Sequence, residues 1–248
     1  MASVKLYFFH GSCAALTARL ELDYKRFDYE LVYLPPVAHG FILGVRGFPR
    51  QTVPALELDG ERISGTLAIS RALDRLKPEP PLHPGDDRVE EAERWGEDLQ
   101  NAQRRILYAA TRRKPSAWCS MVLPGQSPLI RGLWRGLAYG LVPFASWAHG
   151  GSDDRARRDV AELPGTLDRI DAWIADGVLD GERLNAADFE IAPNVRSLLE
   201  FADLAPLIEG RPAERHARRV LPEFPGHVPA VLPHELLAQP RSASSSRR

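Results

Sequence analysis

A proline-rich stretch at residues 77–85 limits the folds open to this chain more than any other feature. It holds four prolines and one glycine in nine residues, so it cannot continue a helix. Strand-like and helix-like patterns alternate before it, whereas no convincing strand pattern follows it. The stretch therefore predicts a linker (79–87) between an α/β domain (1–78) and an all-helical domain (88–221).

The hydrophobic pattern before the linker predicts the element order β-α-β-(α)-β-β-α. Runs rich in β-branched and aromatic residues place the strands at 4–9, 28–34, 55–58 and 61–63. Helices are expected at about 13–25 and 66–76, with residues 37–50 irregular or weakly helical. Asp59-Gly60 supplies the turn between the last two strands.

After the linker, the apolar spacing predicts helices at about 88–113, 128–147, 166–176, 185–201 and 212–220. One of these starts is specific. Asn185 is a good N-cap residue, and Asp188 three positions later can reach back to it, which is the pattern of a capping box. Residues 222–248 contain five prolines and end in a serine-rich run, which predicts a disordered tail.

Composition excludes several classes of protein. With 44% hydrophobic and 26% charged residues, the 248-residue chain has the make-up of a globular domain. A net charge of -1, from 32 Lys+Arg and 33 Asp+Glu, argues against a nucleic-acid-binding protein. Two cysteines cannot form a disulfide framework, and no metal site is expected. The first residues lack the apolar segment of a secretory signal, so the expected location is the cytoplasm.

The apolar segment at residues 117–148 raises the question of a membrane span. Two arginines and a proline interrupt it, and a charge at mid-bilayer costs several kcal/mol. We therefore expect no integral membrane segment. Gly132, Gly136 and Gly140 form a GxxxGxxxG series, which predicts an interior helix with a closely packed neighbour. Its aromatic residues also make it a candidate wall for a hydrophobic co-substrate.

Four motifs in order resemble those of the cytosolic glutathione transferases. Val53-Pro54-Ala55-Leu56 resembles the family's V-P-A-L, in which the proline is cis, and Asp59-Gly60 follows as the hairpin turn. The segment Ile63–Ile69 resembles the hairpin-to-helix element, and Asn185–Phe189 resembles the capping box of the helical domain. The resemblance covers about residues 4–220. It implies a thioredoxin-like α/β N-terminal domain (βαβαββα) followed by an all-α C-terminal domain.

Within that family, the start of the chain is most similar to the bacterial beta class. The segment Lys5–Leu16 resembles the opening of that class, and Cys13 falls on its cysteine. Arg104 and Arg105 fall where that class has a His-Lys pair lining the glutathione site. The resemblance therefore makes both arginines candidate ligand-binding residues, although arginines on a long helix are more often solvated.

Cys13 and Ser12 are the candidate catalytic residues. A cysteine in the first turn of a helix meets the positive end of the helix and unpaired N–H groups, which favour the thiolate. The alternative is a small buried residue that only packs. The Ser12 hydroxyl and the Cys13 backbone N–H could also stabilise the thiolate of a bound ligand. Cys119 is expected to be a packing residue.

The remaining site residues follow from the resemblance. Val53, before Pro54, would pair with the cysteinyl part of glutathione, and Arg50, Gln51 and Thr52 just before it could meet the ligand's glycyl carboxylate. Thr66 is expected to cap its helix and to take the γ-glutamyl carboxylate. Gly65 departs from the pattern, because the family usually has an acid there that neutralises the ligand's α-amino group. A charged hydrogen bond worth roughly 1.5–3 kcal/mol is then missing unless another residue supplies it.

The resemblance implies a detoxifying glutathione S-transferase that takes glutathione as co-substrate and needs no metal. It would activate the thiol for attack on a small hydrophobic electrophile, a peroxide or a disulfide. It also implies a homodimer. Two alternatives stay open, namely a non-catalytic binding protein of the same fold and a glutathione-dependent isomerase or lyase. The glycine at position 65 favours the binding protein, whereas Cys13 and Ser12 favour the enzyme.

Overall fold

A computed structural model describes residues 3–36, 38–123 and 152–237, together with 132, 134, 136–137, 139–140, 142–143 and 146. The strands are β1 (Val4–Phe8), β2 (Glu30–Tyr33), β3 (Ala55–Leu58) and β4 (Glu61–Ser64). The first three helices are α1 (Cys13–Tyr24), α2 (His39–Val45) and α3 (Thr66–Leu76). Those after the linker are α4 (Asp87–Arg113), α5 (Pro115–Val122), α6 (Asp153–Ala175), α7 (Ala186–Leu199), α8 (Ala205–Ile208), α9 (Pro212–Val220) and α10 (His234–Leu237).

The four strands form one mixed sheet in the order β2-β1-β3-β4. β1 runs parallel to β2, whereas the pairs β1–β3 and β3–β4 are antiparallel. β1 lies in the middle of the sheet and buries Leu6 and Phe8 almost completely, as its apolar sequence requires. The element order and the sheet confirm the predicted thioredoxin-like fold, and α2 falls within the segment expected to be weakly helical.

The helical layer is organised around α7, in which all 14 residues are buried. The predicted capping box is present: the Asn185 side chain accepts from the Asp188 N–H, and the Asp188 carboxylate accepts from the Asn185 N–H at 2.9 Å. Asp188 also lies 2.8 Å from Nε2 of the buried His216 on α9. α7 packs against both α4 and α1, so it joins the helical layer to the α/β layer.

Two segments differ from the sequence-based expectations. α6 begins at Asp153 and runs through Pro164, because buried Val160, Leu163 and Leu167 hold it against its neighbours. The predicted disordered tail is wrong for residues 222–237, where Val228 is buried and pairs with Phe201. Residues 238–248 lie outside the described residues. Composition alone predicts disorder for a proline-rich tail, because it does not show which apolar side chains of the tail pack against the rest of the protein.

The predicted helix at 128–147 is described only in part, and its described positions are helical. Gly132, Gly136 and Gly140 are exposed, and a Cβ added to any of them would meet no described atom within 4 Å. The expected close neighbour at these glycines is therefore wrong. Among the described residues, no helix combines the length and the apolar character needed to cross a membrane.

Candidate active site

A cleft of about 530 Å³ lies between the α/β layer and the helical layer. One wall is formed by the loop before α1, the first turn of α1, residues 50–54 and the β4–α3 junction. The opposite wall is formed by one face of α4 and by α5. The cleft therefore brings together segments that are distant in sequence, and the predicted site residues Ser12, Cys13, Thr52, Val53, Pro54, Gly65, Thr66 and Arg104 all line it.

The start of α1 presents a hydroxyl to the cleft. Ser12 is the N-cap, and its Oγ accepts a hydrogen bond from the Ala15 N–H at 3.3 Å. Gly11 precedes it with φ of +80°, and a Cβ at that position would stand 3.0 Å from the Met121 carbonyl oxygen. Glycine is thus required where the loop passes against α5. The close packing fixes the half-buried Ser12 side chain at the cleft wall.

Cys13 borders the cleft, but its side chain is only 5% exposed. Its thiol donates to the Pro193 carbonyl oxygen on α7 at 3.5 Å. Burial raises the pKa of Cys13 to about 12, and the opposing effects of Ser197 and Arg104 do not compensate. The expectation of a thiolate at this helix start is therefore wrong, because α7 covers the sulfur and removes it from water.

The β4–α3 junction forms the second polar part of the cleft. The Val53–Pro54 peptide bond is cis, as the resemblance implies, and the Gly65 N–H donates to the Pro54 carbonyl at 3.2 Å. Thr66 does not cap α3 as expected. It is the first residue of the helix, and Gly65 occupies the N-cap position with φ of +92° and no side-chain hydrogen bond. The free N–H groups of this helix start lie at the cleft.

A guanidinium occupies the space beside Gly65. A Cβ added to Gly65 would lie 3.3 Å from Nη1 of Arg50, and Arg50 itself lines the cleft. The structure therefore places Arg50 at the same junction as Thr66. This corner of the cleft therefore carries a cation where the resembled family usually has an acid.

The two arginines predicted as a pair lie apart. Arg104 lines the cleft, whereas Arg105 forms a two-bond ion pair with Asp159 on α6, with both N–O distances at 2.7 Å. Arg105 points about 100° away from Arg104 around the helix axis and is not among the residues that line the cleft. Arg105 thus ties α4 to α6 and is not part of the candidate site.

Sequence reasoning missed several polar residues from the helical layer. Glu97, Asn101 and Tyr108 line the cleft from α4. Glu190 on α7 lies behind it and is 1% exposed, and burial raises its pKa to about 8. A signal for Glu190 existed, since it is an acid within a helix of otherwise mostly apolar residues. No single-sequence pattern, however, shows which cavity such an acid faces.

The apolar wall agrees in part with expectation. Trp118, Met121, Val122 and Val142 line the cleft from the segment predicted to hold a hydrophobic co-substrate. Trp134 packs near buried Cys119. Of the other aromatic residues in this segment, Tyr139 is 61% exposed, and the residues at 144 and 147 lie outside the described residues. Within the described ranges, no group of three or more His, Cys, Asp or Glu side chains is placed to hold a metal ion.

Comparison with known proteins agrees with this geometry. Residues 6–81 match the family model for the glutathione S-transferase N-terminal domain. The first domain is therefore similar in sequence to a glutathione S-transferase N-terminal domain. The match includes β1, α1 and the β3–β4–α3 unit, which supply the α/β wall of the cleft. No curated protein sequence matches the chain.

Solved structures extend the likeness over the helical layer. A glutathione S-transferase of Ceriporiopsis subvermispora in complex with glutathione is 17% identical with a TM-score of 0.59, covering 88% of this chain and 95% of its own. A Populus trichocarpa glutathione transferase is 17% identical in sequence with a TM-score of 0.56, and the match covers 88% of this chain and 91% of the transferase. The beta-etherase of a Sphingobium species is 17% identical in sequence with a TM-score of 0.57, and the match covers 88% of this chain and 99% of the beta-etherase. The chain therefore has the glutathione-transferase fold, while the bacterial beta class stays a prediction.

Proposed function

We propose that this protein binds a glutathione-type thiol in the cleft and activates it for attack on a small hydrophobic electrophile. One observation supports the proposal above all others. A single cleft presents polar groups, namely the Ser12 hydroxyl, the start of α3 and Arg104, beside an apolar wall formed by Leu107, Trp118, Met121, Val122 and Val142. This is the division expected between a charged tripeptide and an apolar co-substrate.

Ser12 is the proposed activating residue. Its Oγ uses a lone pair for the Ala15 N–H, which leaves its own O–H to donate to a ligand sulfur. Cys13 is unsuited to the role, because its thiol is buried against Pro193 and its pKa is raised to about 12. The ligand's thiol proton passes to solvent, the sulfur electron pair forms the new C–S bond, and a leaving group departs with its bonding pair.

The ligand's charged ends have matching groups in the cleft. The γ-glutamyl carboxylate would accept from the N–H groups at the start of α3 and from the Thr66 hydroxyl. Backbone groups of Val53 would pair with the cysteinyl part. The guanidinium groups of Arg50 and Arg104 border the same cleft and supply positive charge for the carboxylates.

The proposal is tested with Ser12→Ala and a matched Cys13→Ala variant. We measure retention on immobilised glutathione and the rate of thiol conjugation to an activated aryl halide. Loss of one preorganised donor to the reacting atom costs about 100-fold in turnover, so Ser12→Ala should bind glutathione and turn over about 100-fold more slowly. Cys13→Ala should stay within about threefold of the native rate. Failure of the native protein to bind glutathione would refute the proposal.

Two alternatives correspond to other outcomes of the same experiment. Retention on glutathione without turnover would favour a non-catalytic binding protein, which Gly65 and the buried thiol of Cys13 support. Binding with turnover of a bond cleavage or isomerisation, rather than conjugation, would favour a glutathione-dependent lyase or isomerase. The homodimer implied by the resemblance and the cytoplasmic location expected from the first residues stay predictions.

A further inference from the structure

Met121, at the end of α5, lies between two glycines that are far apart in the sequence. A Cβ added to Gly11 would stand 3.0 Å from the Met121 carbonyl oxygen. A Cβ added to Gly226 would stand 2.7 Å from Cγ of Met121 and 2.8 Å from its backbone nitrogen. Both glycines have positive φ, at +80° and +88°, and Met121 is buried. Approaches this close hold the two chain segments and α5 in one fixed arrangement.

The segment that carries Gly226 is anchored on both sides of the glycine. This C-terminal segment (221–228) follows α9 and crosses the end of α5. Before the glycine, the Leu221 carbonyl accepts from a buried arginine of α7 at 3.0 Å. After it, Val228 is buried and makes two backbone hydrogen bonds with the chain just beyond α7, both at 2.9 Å. The helical layer therefore holds Gly226 against Met121.

The loop that presents Ser12 lies on the other side of Met121. Gly11 directly precedes Ser12, which caps α1 and lines the cleft. The end of α5 has a further bond to the α/β layer, since the Tyr33 hydroxyl donates to the Val122 carbonyl at 3.1 Å. A displacement of Met121 is therefore passed to the backbone at Gly11 and from there to Ser12.

We propose that Met121 is a positioning residue for Ser12 and that the C-terminal segment sets the place of Met121. The inference rests on the proposed function, in which the Ser12 hydroxyl donates to the ligand's sulfur. A misplacement of about 1 Å costs about 100-fold in rate when a group must meet a reacting atom. Residues 221–228, all of which the structure describes, do not line the cleft. They contribute to turnover through Met121 and without contact to the ligand.

The test uses Gly226→Ala, with Gly210→Ala as the matched control. Gly210 also has positive φ, at +81°, but an added Cβ there meets no described atom within 4 Å. Both variants carry the same kind of backbone strain, and only Gly226→Ala presses on Met121. We expect Gly226→Ala to lower kcat for thiol conjugation about tenfold and to keep KM for glutathione within about twofold. Gly210→Ala should leave both constants unchanged.

A double variant separates the positioning of Ser12 from a general structural defect. Ser12→Ala alone should lower kcat about 100-fold. Without the hydroxyl its position no longer matters, so adding Gly226→Ala should leave the rate there, whereas independent effects would multiply to about 1000-fold. Multiplied losses, or equal kcat values in Gly226→Ala and Gly210→Ala, would overturn the inference. If Gly226→Ala does not fold, Met121→Ala takes its place, with the volume-conserving Met121→Leu as its control.

A second measurement does not depend on activity. Hydrogen exchange of the backbone amides at residues 10–16, followed by mass spectrometry, reports local opening of the loop that carries Ser12. Exchange there should be faster in Gly226→Ala than in the native protein and unchanged in Gly210→Ala. Unchanged exchange in both variants would overturn the inference. A native protein that shows this difference in exchange but does not turn over would refute the proposed function and support the contact between the C-terminal segment and the loop.

Discussion

Cys13 should be chemically inert in the folded protein. Burial raises its thiol pKa from an ordinary 9.0 to about 12, which lowers the thiolate fraction at neutral pH about 1000-fold. Because the thiolate is the reactive form, alkylation by iodoacetamide at pH 7.5 should be at least about 1000-fold slower than in the unfolded chain. Coverage of the sulfur by α7 slows it further, since the reagent must wait for a local opening.

The assay measures alkylation of Cys13 by mass spectrometry in a Cys119→Ala background, so that one thiol is followed. The native protein is compared with the same protein in concentrated urea. Labelling of the native protein at a rate close to that in urea would refute the reasoning. That result would show an accessible thiolate and would restore Cys13 as a candidate catalytic residue.

Two further predictions concern the polar network between α1, α3 and the linker, and each is read from urea unfolding. Lys25 is fully buried, and its Nζ lies 2.5 Å from the Asp74 carboxylate, which also accepts hydrogen bonds from the linker. Asp74→Asn should therefore lower the free energy of unfolding by about 3–5 kcal/mol, and Lys25→Met should lower it clearly less. Equal losses in the two variants would contradict this asymmetry. Burial alone would lower the pKa of His83, but its contacts with Glu93 and Asp74 raise it from 6.5. The stability it contributes is therefore complete below pH 6.5 and is lost as the pH rises through the raised value, and His83→Asn should remove that part of the slope between pH 6 and 8.

The fold could be predicted from the sequence because local features, such as the linker prolines and the capping box, agree with the overall architecture. The prolines at 77–85 divide the chain where the strand patterns end, and the Asn185–Asp188 capping box fixes the start of α7. The α6 helix was predicted too short for a physical reason. Pro164 and Gly165 are local helix breakers, and only tertiary burial of the residues around them keeps the helix continuous.

The candidate site was predictable only on its α/β side. Ser12, Val53 and Thr66 belong to short motifs with fixed spacing, and one cleft collects them. The helical side depends on rotation about long helices, so Arg104 and Arg105 could not be separated by counting along α4. Glu190 depends in addition on a contact between helices that are far apart in sequence, which a periodic pattern does not encode.

Cys13 shows how a tertiary contact outweighs a correct local argument. A helix start favours a negative charge by about 0.3–2 kcal/mol, so the local expectation of a stabilised thiolate was sound. The rise of the pKa from 9.0 to about 12 corresponds to a penalty of about 4 kcal/mol on the thiolate, which exceeds that gain. The penalty comes from α7, whose Pro193 carbonyl covers the sulfur from 180 residues away in the chain. Ser12 escapes it, because a neutral hydroxyl loses little on partial burial and keeps its O–H at the cleft wall. The helix start therefore keeps its capacity to stabilise an anion, and under the proposed function that anion is the ligand's sulfur rather than the protein's own.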